Sequence, residues 1–233
     1  MVPIYPSRIK NLGGQSIPMN KKKMLSAVLG RLERRYGRDV HTELKHRTAS
    51  DLFTAVLLSP QCTDKQVNAV TRGLFKKYKT FSDYANADPV ELERDLGGLN
   101  YYRTKAKHLR RSARMLVEIF DGKVPRTLAE MMVLPGVGRK VSNVVLNEMY
   151  GINEGIAVDT HCARVAHRLG LSPSGAPHAV ERSLMRIAAT KKRGEISNLF
   201  IALGRDVCHA RTPVCAKCPL SDLCPSSLLN KGA

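Results

Sequence analysis

Four of the six cysteines fall within the last 26 residues, at Cys208, Cys215, Cys218 and Cys224, in the spacing C-x6-C-x2-C-x5-C. Thiolates this close repel one another unless a metal centre or a bridge neutralises them. A zinc ion usually takes two C-x2-C pairs. Here one tight pair is flanked by single cysteines at longer intervals. That arrangement lets a loop wrap around a cube, which favours a [4Fe–4S] cluster over zinc, with disulfides a distant third. Pro213, Pro219 and Pro225 stiffen the wrap. Cys62 and Cys162 stand in helical contexts and are expected as buried apolar side chains rather than ligands.

A second group able to do chemistry surrounds Lys140. Leu134-Pro135-Gly136-Val137-Gly138-Arg139-Lys140 lies between two helical segments. Its glycines permit a tight turn, and their missing side chains let backbone N–H groups approach a phosphate. The helix that begins at the turn adds the positive end of its dipole. This is a helix–hairpin–helix, a sequence-independent clamp for DNA phosphate, with Gly136, Gly138 and Arg139 as its contacts. Lys140 is either one more phosphate contact or an amine nucleophile. Val158-Asp159-Thr160-His161 follows, with Asp159 placed 19 residues after Lys140. Asp159 suits the cap of a helix from Thr160 to Leu169, and its carboxylate can also serve a nearby lysine.

The charge agrees with the hairpin. Thirty-eight Lys and Arg against 20 Asp and Glu leave +18, which implies a polyanionic partner, nucleic acid before membrane. Lys105, Lys107, Arg110, Arg111 and Arg114 gather on one helix, and Lys191, Lys192 and Arg193 form another patch. No apolar run approaches a bilayer span, and residues 1–20 lack a secretory core. The expectation is an intracellular protein, where thiols stay reduced.

The elements that position these groups read as helices throughout, so the fold class is all-α. From Lys21, the residues Met24, Leu25, Val28, Leu29, Leu32 and Tyr36 keep helical spacing. Ser50 to Leu58 is almost wholly apolar, as suits a central buried helix. Thr63-Asp64-Lys65-Gln66 and Thr127-Leu128-Ala129-Glu130 match capping boxes, and Asp88-Pro89-Val90-Glu91 another helix start. A long helix runs from about Tyr102 to Phe120 and stops at Asp121-Gly122. Connections are short, and residues 1–20 are expected as a flexible tail.

Leu-Pro-Gly-Val-Gly-Arg-Lys (134–140), Val-Asp-Thr-His (158–161), the four-cysteine spacing and Leu-Leu-Ser-Pro-Gln-Cys-Thr-Asp (57–64) together resemble the endonuclease III family of helix–hairpin–helix DNA glycosylases. The similarity runs from about Lys21 to Cys224. It implies two helical lobes with a DNA groove between them. Residues 42–152 would form a six-helix barrel ending in the hairpin. Residues 21–41 with 153–230 would form the lobe that holds one [4Fe–4S] cluster. The resemblance implies a monomeric, nucleoid-associated cytoplasmic enzyme acting on double-stranded DNA with damaged bases or abasic sites. It would flip the damaged nucleotide out of the stack, remove oxidised pyrimidines and cut 3′ to the abasic site.

By the same resemblance, Lys140 attacks C1′ and forms a Schiff base, after which β-elimination cuts the strand. Asp159 stabilises charge on the sugar and assists proton transfer. Gln61 plugs the gap left by the flipped nucleotide. The apolar wedge is Leu99 when counted from Gly98, or Tyr101 when counted back from Lys105-Ala106, with Tyr101 favoured. Arg211, in the cysteine loop, is a further DNA contact. Relatives that act on adenine mispairs or G·T thymine lack the lysine, so Lys140 argues for lyase chemistry. Met132 stands where bacterial members carry an acidic residue, and the 98–104 loop is longer than usual. A pyrimidine-dimer glycosylase shares every motif. A non-catalytic DNA-binding protein explains the charge and hairpin but not the cysteines or the Lys140/Asp159 pair.

Overall fold

The computed structural model describes residues 8–10, 16–18, 20–38 and 40–230. Two short strands, β1 (Arg8–Lys10) and β2 (Ser16–Pro18), pair antiparallel with Ile9 opposite Ile17. The expected tail is therefore partly paired, and the rest of residues 1–19 lies outside the described residues.

Helices make up the remaining framework. In chain order they are α1 (Lys21–Tyr36), α2 (Ala49–Leu58), α3 (Asp64–Lys77), α4 (Phe81–Asn86), α5 (Pro89–Asp95) and α6 (Tyr102–Phe120). They continue as α7 (Leu128–Met132), α8 (Arg139–Tyr150), α9 (Thr160–Arg168), α10 (Pro177–Ile187) and α11 (Arg193–Asp206). Short 3-10 turns follow at 190–192, 215–217 and 228–230.

The expected starts are built as the side chains require. Thr63 and Gln66 close a reciprocal capping box on α3, and Asp88 accepts from the Glu91 N–H above Pro89 on α5. Thr127 accepts from the Glu130 N–H on α7, but Glu130 returns to the Thr127 hydroxyl rather than to its backbone. Such caps contribute about 1 kcal/mol each.

The chain divides into two compact units, residues 42–154 and residues 1–41 with 155–233. In the first, α2 is buried from Asp51 to Leu58. Its Phe53 meets Phe81 edge-on at 5.5 Å between ring centroids. The one charged group on that stretch, Asp51, accepts from the Arg47 N–H at 3.1 Å. Around α2 close Leu92, Leu99, Leu109, Leu116, Met131 and Val145. In the second unit, Met24, Leu25, Val28, Leu29 and Leu32 of α1 share a core with α9 and α11. There Gly204 lets α9 and α11 come close: a Cβ on it would stand 2.7 Å from the Cβ of His161.

Candidate active site

The hairpin is held from inside its own unit. Leu134 and Val137 are buried, and the Val137 N–H closes the turn on the Leu134 carbonyl at 3.0 Å. With its apolar side chains turned inward, the turn exposes the backbone at Gly136 and Gly138. Gly136 takes φ +79°, a left-handed conformation that a side chain resists. From α6, the Ser112 hydroxyl donates to the Pro135 carbonyl at 2.6 Å. Gly138 opens α8 in extended backbone, and no side chain caps that helix. Most helices of this unit carry Thr or Asp caps, whereas α8 starts without one, an arrangement that suits an anion.

Lys140 sits in that first turn. It is exposed, and its ammonium has no hydrogen-bond or ion-pair partner among the described residues. Asp159, in the other unit, caps α9: one carboxylate oxygen accepts from the Cys162 N–H at 2.7 Å. Its second oxygen has no partner among the described residues. The cap that the sequence predicts and a spare oxygen for chemistry thus coexist on one side chain.

Gln61 and Tyr101 share an unusual backbone. Both stand at φ +58°, and among the described residues only Asp121 joins them as a non-glycine at positive φ. Such strain costs about 1–2 kcal/mol per residue and concentrates at functional positions. The Asn100 side chain donates to the Gln61 carbonyl at 2.7 Å and ties the two loops together. Gln61 is exposed, and Tyr101 is 65% exposed. Leu99, the other wedge candidate, is 3% exposed in the core of this unit, held by neighbours that a wedge would have to abandon.

The basic residues divide on inspection. Lys107, Arg111 and Arg114 are exposed, whereas Lys105 is buried and donates to the Cys62 Sγ at 2.9 Å. Lys105 therefore leaves the phosphate-contact set. Lys192 is occupied by Glu33 and Glu195 at 3.1 and 2.6 Å, while Lys191 and Arg211 are exposed. Cys162 is wholly buried as expected, and burial raises its thiol. Cys62 corrects the sequence expectation: it lies half-buried in the turn before α3, where Thr63 ends the non-helical stretch.

Cys208, Cys215, Cys218 and Cys224 line one pocket together with Val207, Pro213 and Arg168. No cysteine is bridged. The Arg168 guanidinium donates to the Cys208 Sγ at 3.3 Å and to the carbonyls of His209 and Ala210. From α9, Arg164 donates to the Cys208 carbonyl at 2.8 Å. From α1, Arg31 grips both oxygens of Asp222, and Arg35 and Tyr36 bind Asp206. The Tyr36 and Arg35 hydrogen bonds hold the Asp206 carboxyl below the usual carboxylate range. Burial raises the Cys218 thiol and pushes Cys224 up to about 11, and the charges of the neighbouring cysteines add to both. Loading a metal centre onto these thiols would therefore release protons.

Residues 54–190 match the HhH-GPD superfamily of base excision DNA repair proteins. The chain is 39% identical over 208 residues to Endonuclease III of Synechocystis sp., covering 89% of this chain and 94% of that one. It is 43% identical over 183 residues to Endonuclease III of Bacillus subtilis, covering 78% and 83%. The chain belongs to the endonuclease III family. Members of this family are DNA glycosylases and abasic-site lyases of base excision repair, and that is the activity of this chain. The all-helical fold agrees: a trapped endonuclease III–DNA covalent intermediate matches with a TM-score of 0.84 at 40% identity, over 90% of this chain and 98% of that one. A thermostable thymine-DNA glycosylase, at 23% identity and a TM-score of 0.75, shares the fold. No helix among the described residues is long and apolar enough to cross a membrane.

Proposed function

We propose that this endonuclease III family member removes oxidised pyrimidines from double-stranded DNA inside the cell and cuts the strand 3′ to the abasic site, with Lys140 as nucleophile. The observation that carries this is Lys140 itself: an exposed, unpartnered amine on the uncapped first turn of α8, beside a glycine backbone open to phosphate. Phosphate held at Gly136 and Gly138 fixes the strand, and the extruded sugar is presented to the amine. The Lys140 nitrogen bonds to C1′ as the glycosidic bond breaks, and the base leaves with the electron pair. The ring-opened Schiff base then loses a proton at C2′, and the C3′–O bond breaks. The attack needs a neutral amine, and bound DNA supplies the desolvation that favours it. The spare oxygen of Asp159 stabilises positive charge developing on the sugar.

Gln61 fills the vacated place in the duplex and bonds to the orphaned base, while Tyr101 stacks on a neighbour. The exposure and shared backbone conformation of the two support this pairing.

The four cysteines fit a [4Fe–4S] cluster. A zinc ion would gather its thiolates at ~2.3 Å from one centre. The C-x6-C-x2-C-x5-C spacing instead suits a cube, and all four cysteines share one pocket. Cys208, Cys215, Cys218 and Cys224 would hold the cluster, which supplies a rigid cross-link for the loop that presents Arg211. The residues around it brace that loop and do not enter base removal.

Borohydride trapping tests the mechanism. On duplexes carrying one oxidised pyrimidine, wild type should yield a covalent enzyme–DNA adduct and Lys140→Gln none. Normal nicking by Lys140→Gln would refute the assignment. Faster excision of cyclobutane dimers than of oxidised pyrimidines would overturn the substrate class and leave the mechanism standing.

A further inference from the structure

One buried cation of the 42–154 unit lacks a carboxylate. Lys105 on α6 is 7% exposed, and its ammonium lies 2.9 Å from the Cys62 Sγ. No Asp or Glu among the described residues pairs with it. Buried ammonium groups are ordinarily paired with an anion, so a thiol as sole partner is unusual. Cys62 is half-buried, packed against the core of this unit, and unbridged. The pair also sits at a sensitive place. Cys62 directly follows Gln61, and the Lys105 N–H donates to the Tyr101 carbonyl at 3.0 Å. The thiol–amine contact therefore links the same two loops as the Asn100–Gln61 hydrogen bond.

We propose that Cys62 and Lys105 form a peroxide-responsive pair, in which oxidation of the thiol joins its sulfur to the Lys105 nitrogen and locks the Gln61 loop to the start of α6. In the first step the thiol reacts with hydrogen peroxide. The O–O bond breaks, sulfur is oxidised by two electrons, and a sulfenic acid and water form. In the second step Lys105 releases one proton to solvent and its nitrogen attacks sulfur. The S–O bond breaks, an S–N bond forms, and the amine's second proton leaves with the hydroxyl as water. No further oxidant is required. The contact contracts from 2.9 Å to a covalent bond and carries Gln61 with it. Misplacement on the scale of an ångström is enough to impair catalysis. The covalent link stands on this contact alone; its effect on excision rests on the plug role proposed for Gln61.

The test treats the intact, cluster-loaded protein with a few equivalents of hydrogen peroxide, with cluster absorbance followed so that cluster loss is scored separately. Peptide mass spectrometry should find the Cys62 and Lys105 peptides joined, two hydrogens lighter than their sum, and separated by dithiothreitol. Excision from duplex DNA should fall on the order of tenfold or more and recover with the thiol. Cys62→Ser keeps a hydrogen-bond acceptor for Lys105 but has no sulfur, so it should show neither the link nor a peroxide-dependent loss. Cys62 recovered unoxidised, or only as sulfinic or sulfonic acid without Lys105, would overturn the pair. A link formed without change in duplex excision would overturn the lock. Because the link is read in peptides, its outcome is decided even if the chain proves inactive on every pyrimidine lesion.

Discussion

The imidazole of His108 lies against the backbone of Gly136: a Cβ added to that glycine would stand 2.7 Å from His108 Nδ1 and 2.9 Å from its Cβ. Glycine is required twice at this position, for its φ of +79° and for the room it leaves α6.

Gly136→Ala should therefore weaken binding to a duplex with an abasic-site analogue by about tenfold, from ~1–2 kcal/mol of backbone strain plus the clash. Adding His108→Ala removes the ring's part of the clash but leaves the 2.9 Å approach to the Cβ of residue 108 and the strained backbone, so the double variant should recover only in part. Fluorescence anisotropy across a salt series measures both. The slope of log affinity against log salt should flatten by ~0.9 for each phosphate the variant no longer neutralises. Full recovery in the double variant would mean that the left-handed backbone contributes nothing.

Asp159 combines a cap with a spare oxygen, and two substitutions separate these roles. Asn caps as well as Asp, so Asp159→Asn should keep thermal stability within a few tenths of a kcal/mol while single-turnover excision falls by on the order of 10²-fold. Asp159→Ala should lose about 1 kcal/mol of stability as well. Thermal melts and rapid-quench assays distinguish them, and an Asp159→Asn variant of normal rate would reduce Asp159 to a cap.

Tyr101 and Leu99 should respond oppositely. Tyr101→Ala removes an exposed ring, so stability should hold while excision from duplex falls much more than excision from single strands. Leu99→Ala opens a cavity and should cost about 3 kcal/mol. It should impair both substrates together. Urea melts beside the two excision assays read the difference, and equal losses for Tyr101→Ala on both substrates would remove it as the wedge.

Purified protein should be brown and carry about four iron per chain. Chelation that strips the iron should lower the unfolding temperature, and Cys215→Ser should do the same before it alters the chemical step. Metal analysis with one zinc and no iron would refute the cluster.

Much of this molecule is legible along the chain because its determinants are local. Capping residues at Thr63, Asp88, Thr127 and Asp159 mark helix starts through bonds to N–H groups three residues away. The hairpin declares itself through two glycines, and the cysteine spacing lies within one short segment. Helix α4 carries a complete Thr80/Asp83 capping box that the same rule detects, but a six-residue helix is too short to show periodicity.

Other features depend on partners far away in sequence and have no local mark. Composition places Lys105 with the basic residues of α6, but burial against Cys62, 43 positions earlier, removes it from the DNA-facing set. Counting selects either Leu99 or Tyr101 as the wedge, whereas packing encloses the first and exposes the second. The left-handed backbone at Gln61 and Tyr101 arises in non-glycine residues held by the surrounding loops, so residue type does not announce it. Local hydrogen bonds and spacing are written in adjacent residues; burial, strain and long-range pairing come into being only when the chain closes on itself.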